Sequence, residues 1–148
     1  MARYWEDYNV GEKCTTPKKT ITATAIDIIN SLGGFIEPLF LDHEFVKTTV
    51  FGEPIAPGVI TVLMMGGLEQ MVEMWDIESA IALTGLNNIR FLAPLKAGDT
   101  IRVEMEITQK TETKRADRGI IVHKSVCKNQ RDEVIAEMET VHLMKRRA

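Results

Sequence analysis

The sequence predicts an α+β protein in which a strongly bent antiparallel sheet wraps around one long central helix. Two observations carry that prediction. From Gly58 toward Trp75 the chain is apolar nearly all round until Glu69, through Val59, Ile60, Val62, Leu63, Met64, Met65 and Leu68. A helix apolar on every side is buried on every side. Beyond Asp76 the pattern changes to period two: Ile101, Val103, Met105 and Ile107 alternate with Arg102, Glu104, Glu106 and Thr108, as half-buried strands do. Four long strands with hairpin-length links favour an antiparallel meander.

Composition narrows the function classes. A chain of 148 residues reads as one domain spanning 1–148, large enough to bury a core without disulfides or metal. Hydrophobic content of 45% with 26% charged residues is ordinary for a globular protein. A net charge of −3 and a pI near 5.7 argue against nucleic acid as a partner, because that affinity depends on neutralising phosphates. Cys14 and Cys127 lie far apart and outside any ligand spacing, so they read as reduced thiols. The first residues lack an apolar h-region, and no signal peptide is expected. The longest apolar run is broken by Thr61 and Gly66-Gly67 and falls short of a membrane span. The expectation is a cytoplasmic protein with no metal, no cofactor and no membrane partner.

Taken in order, residues 4–21 read as an irregular entry with a turn at Gly11, followed by a first strand ending at Ile21. Thr22 is a fitting N-cap for a short helix over residues 23–32, with Ala25, Ile26, Ile29 and Leu32 as its apolar stripe and Gly33-Gly34 as its stop. Asp42 caps a single helical turn from His43 to Lys47. Pro57 suits the first turn of the apolar helix, where its missing N–H is not needed. Strands are expected over 80–92, 101–108, 119–128 and 134–144, with Asn129-Gln130-Arg131-Asp132 as a turn.

The stretch from Glu37 to Gly58 joins the two helices and holds three of the five prolines and one of the three histidines. A site is expected there. Glu6-Asp7-Tyr8-Asn9-Val10-Gly11-Glu12, Leu41-Asp42-His43-Glu44-Phe45, Phe51-Gly52-Glu53-Pro54-Ile55-Ala56-Pro57-Gly58 and Asn88-Ile89-Arg90-Phe91-Leu92-Ala93-Pro94-Leu95-Lys96-Ala97-Gly98-Asp99-Thr100 resemble the corresponding segments of the MaoC-like dehydratase family, which includes (R)-specific enoyl-CoA hydratases. The resemblance runs from about Tyr4 to Leu143. It implies a hot-dog fold, a dimer or higher assembly, and an acyl thioester of CoA or of a carrier protein as ligand.

The family's hydratase motif runs Gly-Asp-x-Asn-Pro-x-His-x-Asp, and the resemblance implies a catalytic Asp and His within it. In this chain Gly34, Pro38 and Asp42 match, but Phe35 stands at the Asp position, Glu37 at the Asn position and Phe40 at the His position. The usual Ala-His-Gly at the helix start reads Ala56-Pro57-Gly58. Adding water to an enoyl thioester needs a base for the water and an acid at Cα, and phenylalanine serves as neither. Gly58 can still offer its backbone N–H, backed by the helix dipole, to a thioester carbonyl.

The expected thioester-binding set is therefore Phe35, Phe40, Pro57, Gly58 and Val59, in an acyl-thioester-binding protein that lacks the usual dyad. Such a chain would work as a homodimer, or as the non-catalytic half of a hetero-oligomeric hydratase. An active hydratase or thioesterase using Glu37 and His43 is the alternative, and a regulatory or structural module is a third. His123 and His142 fall on expected strands, where a satisfied or exposed histidine is usual. Lys110, Lys114, Arg115 and Arg118 cluster near a strand connection and read as a solvated hairpin rather than a phosphate site.

Overall fold

Thr22 starts the first helix as its sequence suggests. In a computed structural model that describes residues 2–147, its hydroxyl accepts from the Ala25 N–H at 3.2 Å. Helix α1 then runs Ala23–Gly33 and closes at Gly34, in the left-handed region at φ 75°. Before it lie a 3-10 turn, Trp5–Asp7, and two short strands, β1 (Lys13–Thr15) and β2 (Lys19–Thr20). The single first strand expected to end at Ile21 is thus split. Pro17, between the halves, has no N–H to give a ladder.

The connecting stretch contains one element the sequence reading missed. Helix α2, Pro38–Leu41, carries Pro38 in its first turn and is followed by α3, His43–Val46. Asp42 ends the first and caps the second, its Oδ1 accepting from Glu44 N–H at 3.0 Å and Phe45 N–H at 2.9 Å. Helix α4 spans Gly58–Glu69 and buries Ile60, Thr61, Met64, Met65 and Leu68. Its other face is open: Val59 is 55% and Leu63 56% exposed. The expectation of burial on every side is therefore not met within one chain, because none of the described residues covers that stripe.

Four long strands follow: β3 (Ala80–Phe91), β4 (Thr100–Glu112), β5 (Arg118–Lys128) and β6 (Val134–Lys145). Along β4 the period-two pattern is realised, with Ile101, Val103, Met105 and Ile107 at 2% exposure or less. Burying each such side chain contributes about 1.5–3 kcal/mol. The sheet has six strands in the order β1-β4-β5-β6-β3, with β2 also on β4. Only β4, β5 and β6 form the expected meander. β3 pairs with β6 instead of β4, so the link from Leu92 to Asp99 crosses between them.

That link is a built piece of structure and not a hairpin turn. Leu95 is buried, its carbonyl accepts from Ala56 N–H at 2.8 Å, and the Asp99 carbonyl accepts from Ile21 N–H at 2.8 Å. These bonds hold the link beside the start of α4. An open antiparallel sheet with one apolar helix against it is the hot-dog arrangement that the family resemblance implies.

Candidate functional site

The start of α4 is shaped by Ala56-Pro57-Gly58. Pro57 takes the N-cap position at φ −51°, ψ 142°, one place earlier than the first-turn position read from the sequence, and offers no side-chain cap. The Ile60 N–H turns back to the Pro57 carbonyl at 2.9 Å. Among the described residues the N–H groups of Gly58 and Val59 meet no acceptor. Two bare donors at the positive end of a three-turn helix form a ready site for a carbonyl oxygen or an anion.

Aromatic rings frame those donors. A Cβ on Gly58 would lie 2.9–3.1 Å from ring carbons of Phe91, so only glycine lets that ring rest against the helix start. Phe51, Ile55, Gly58, Thr61 and Phe91 line a cavity of about 380 Å³ with the crossing link as its wall. Ile55 also lines a neighbouring cleft of about 230 Å³ with Ile26, Asp27, Phe40, His43 and Glu53. The two hollows thus meet at one residue.

The structure brings Phe35 and Phe40 together. Their rings pack edge to face, with centroids 6.2 Å apart and planes at 90°. The Phe35 ring also lies over Gly33, where a Cβ would come within 2.7 Å of it. Asp42, the carboxylate retained from the hydratase motif, is occupied in capping α3. Glu37 is exposed at the start of α2 and is not among the residues lining the cleft that His43 enters. Instead, His43 shares that cleft with Asp27 and with Glu53, whose carboxylate is paired with the Lys96 ammonium. Val59 points away from the Gly58 cavity and is exposed.

A second polar group went unrecognised in the sequence. Glu69, at the end of α4, is 3% exposed. Its Oε1 accepts from the Ser125 hydroxyl at 2.6 Å, and its Oε2 lies 3.2 Å from His123 Nε2. The His123 ring stacks on that of His142 at 5.1 Å, and Trp75 packs against both. Burial, reinforced by the neighbouring His123, lowers the His142 pKa to about 4. The signal was present: Glu69 continues the buried stripe of Thr61, Met65 and Leu68, and His123 and Ser125 share the inward face of β5 with Ile121 and Cys127.

The basic cluster at the strand connection is accounted for locally. Arg115 and Arg118 both contact Asp117, whose carboxyl they hold well below the usual range. Lys110 donates to the Tyr8 carbonyl at 2.5 Å and lies over the Trp5 ring. Among the described residues no group of three or more His, Cys, Asp or Glu side chains is placed to hold a metal ion, and no helix is long and apolar enough to cross a membrane.

Comparison with known proteins agrees with this geometry. A family model described as "MaoC like domain" matches residues 7–129. Protein MaoC of Klebsiella aerogenes is 30% identical over 109 residues, covering 74% of this chain but only 32% of its own length. The (R)-specific enoyl-CoA hydratase of Aeromonas caviae is 28% identical over 109 residues, covering 74% of this chain and 78% of that protein. Among solved structures, a monoamine oxidase regulatory protein from Archaeoglobus superposes with a TM-score of 0.92 at 33% identity, covering 100% of this chain and 99% of that one.

Proposed function

The chain belongs to the MaoC-like domain family, and from that premise we propose that it binds acyl thioesters of CoA or a carrier protein without carrying the usual proton-transfer pair. One observation carries this reading. The helix start keeps two bare N–H donors, at Gly58 and Val59, beside an apolar cavity, while the two positions that would hold a catalytic Asp and His hold an edge-to-face phenylalanine pair. The donors suit a thioester carbonyl. Without an acid and a base, hydration loses the ~10²–10⁴-fold that each such group supplies. The likeness to an (R)-specific enoyl-CoA hydratase supports the ligand class.

The partner is a second copy of this chain or a related hot-dog subunit, docked on β3. That strand is an edge of the sheet and carries exposed Ile81, Leu83, Leu86, Ile89 and Phe91. Uncovered apolar edges of this kind invite strand pairing. A related subunit would supply the missing Asp and His.

The test is the purified chain with crotonyl-CoA. Saturable binding without hydration is expected, and turnover by the chain alone would overturn the reading. Failure to bind any CoA or carrier ester would favour a structural or regulatory module. A second reading draws on the cleft where His43, Asp27 and Glu53 face Phe40: a hydratase or thioesterase with His43 as its base. Turnover that disappears in His43→Ala would establish it, and Glu37→Gln tests the other candidate residue of the same stretch.

A further inference from the structure

Between the open face of α4 and strands β3 and β6 lies a cavity of about 550 Å³. Its walls are mostly aliphatic, with Leu63, Leu86 and Met138 among them, and its polar residues include Glu69, Thr140 and His142. Ligand pockets fall in this size range and have this make-up, apolar with a few convergent polar groups. Thr140 is 3% exposed. Its hydroxyl, and the Nε2 of His142, have no hydrogen-bond partner among the described residues. Buried polar atoms in folded proteins are nearly always paired. Both residues line the cavity.

We propose that this cavity receives the acyl group of the thioester and that Thr140 and His142 select an acyl group bearing a neutral oxygen, a hydroxyl or a carbonyl, at its far end. The proposal rests on the reading of the α4 start as the thioester site. Val59 belongs to both places: its N–H is one of the two bare donors, and its side chain lines this cavity. From there to Gln70, the last helix-side residue of the lining, the helix rises roughly 16 Å at 1.5 Å per residue, the reach of a medium to long acyl chain.

The lining decides against a carboxylate end. Both carboxyl oxygens of Glu69, which lines the same cavity, are engaged by Ser125 and His123. His142, lowered to about 4, is neutral near pH 7, and no Lys or Arg is among the lining residues to receive a carboxylate.

The experiment is calorimetric titration of the full chain with acyl-CoA esters from butyryl to dodecanoyl, each as the plain, ω-hydroxy and ω-carboxy compound. At the chain length that reaches Thr140, the ω-hydroxy ester is expected to bind about three- to tenfold more tightly than the plain ester, the worth of one added neutral hydrogen bond. The ω-carboxy ester is expected to bind more weakly than the ω-hydroxy ester. Thr140→Val, which keeps the side chain's shape, should erase the hydroxyl preference, so that plain and ω-hydroxy esters bind alike, with the thermal midpoint in place. Equal affinity for plain and ω-hydroxy esters at every length, or a preference that survives Thr140→Val, would overturn the proposal while leaving the thioester site intact. If no ester of any kind binds, the thioester reading fails and this inference fails with it. Self-association without ester binding would assign the cavity to a second copy of the chain, and overturn the proposal equally.

Discussion

The rings of Phe35 and Phe40 meet edge to face at 6.2 Å, at the two positions where the hydratase motif that the sequence resembles would place an Asp and a His. Each ring occupies a half-buried position, and such aromatic contacts add about 0.5–1.5 kcal/mol beyond the area they bury. The same two positions thus stabilise the connecting stretch and themselves offer neither an acid nor a base. Restoring the pair tests both halves of that statement. Phe35→Asp with Phe40→His is expected to raise crotonyl-CoA hydration by about 10²–10⁴-fold over the parent chain, with a small drop in thermal midpoint. Neither single substitution should do so.

Gly58 and Phe91 line the cavity proposed for the thioester. Gly58→Ala places a Cβ about 3 Å from the Phe91 ring, which must swing away because real contacts are not that short. The ring is half exposed and can move, so stability should change little. Ester affinity should fall about tenfold as the displaced ring crowds the bare donors, an effect on the order of one neutral hydrogen bond. Gly58→Ala combined with Phe91→Ala should recover most of it, as measured by calorimetric titration.

Glu69 holds α4 to β5 through two buried contacts, to Ser125 and His123. Glu69→Ala removes the shared acceptor and strands both partners. Each buried polar group left unsatisfied costs about 1–3 kcal/mol. Ser125→Ala removes a single hydrogen bond and should cost less, about 1–3 kcal/mol in all. Urea unfolding of the two variants should give that order.

His142 makes stability pH-dependent. Its folded pKa is lowered, from 6.5 to about 4, so between those values the unfolded chain binds the proton that the folded chain refuses. Stability is therefore highest above pH 6.5, falls as pH drops toward 4, and takes no further loss from this group below that. Carboxylates paired in the fold, such as Glu104 with Lys128 and Arg102, lose stability mostly at lower pH. The difference in urea midpoint between the parent and His142→Gln should thus change mainly between pH 6.5 and 4.

Much of this architecture was legible in the sequence, because local rules and global packing agree over most of the chain. Thr22, Gly34 and Asp42 are caps by residue type and caps in fact, and the alternation along β4 survives unchanged. What misled was non-local. Hairpin-length spacing suggested that β3 would lie beside β4. The link's backbone instead bonds to Ala56 and Ile21, and β3 goes to the far edge on β6. The apolar outer face of α4 was read as buried because a sequence does not show whether its cover comes from the same chain.

The site was legible as a frame and not as a network. The Ala56-Pro57-Gly58 start and the Phe35 and Phe40 positions could be placed by motif spacing. Glu69 stands more than fifty positions from His123 and Ser125 and meets them only through the packing of α4 on β5. Histidines on strands gave no reason to expect a shared carboxylate.

Exposed Ile89 on β3, outside the acyl cavity, makes assembly testable in isolation. The parent chain should run as a dimer or larger species by light scattering, and Ile89→Lys should shift it to monomer. A charge on an apolar edge strand blocks pairing with another edge.

The measurement that bears most directly on the central claim is a single calorimetric titration of the purified chain with crotonyl-CoA, in which binding heat and hydration heat separate in time. A saturable binding heat followed by a flat baseline is the result expected for a thioester site with no acid–base pair. A continuing heat of turnover, or no binding heat at all, would contradict it.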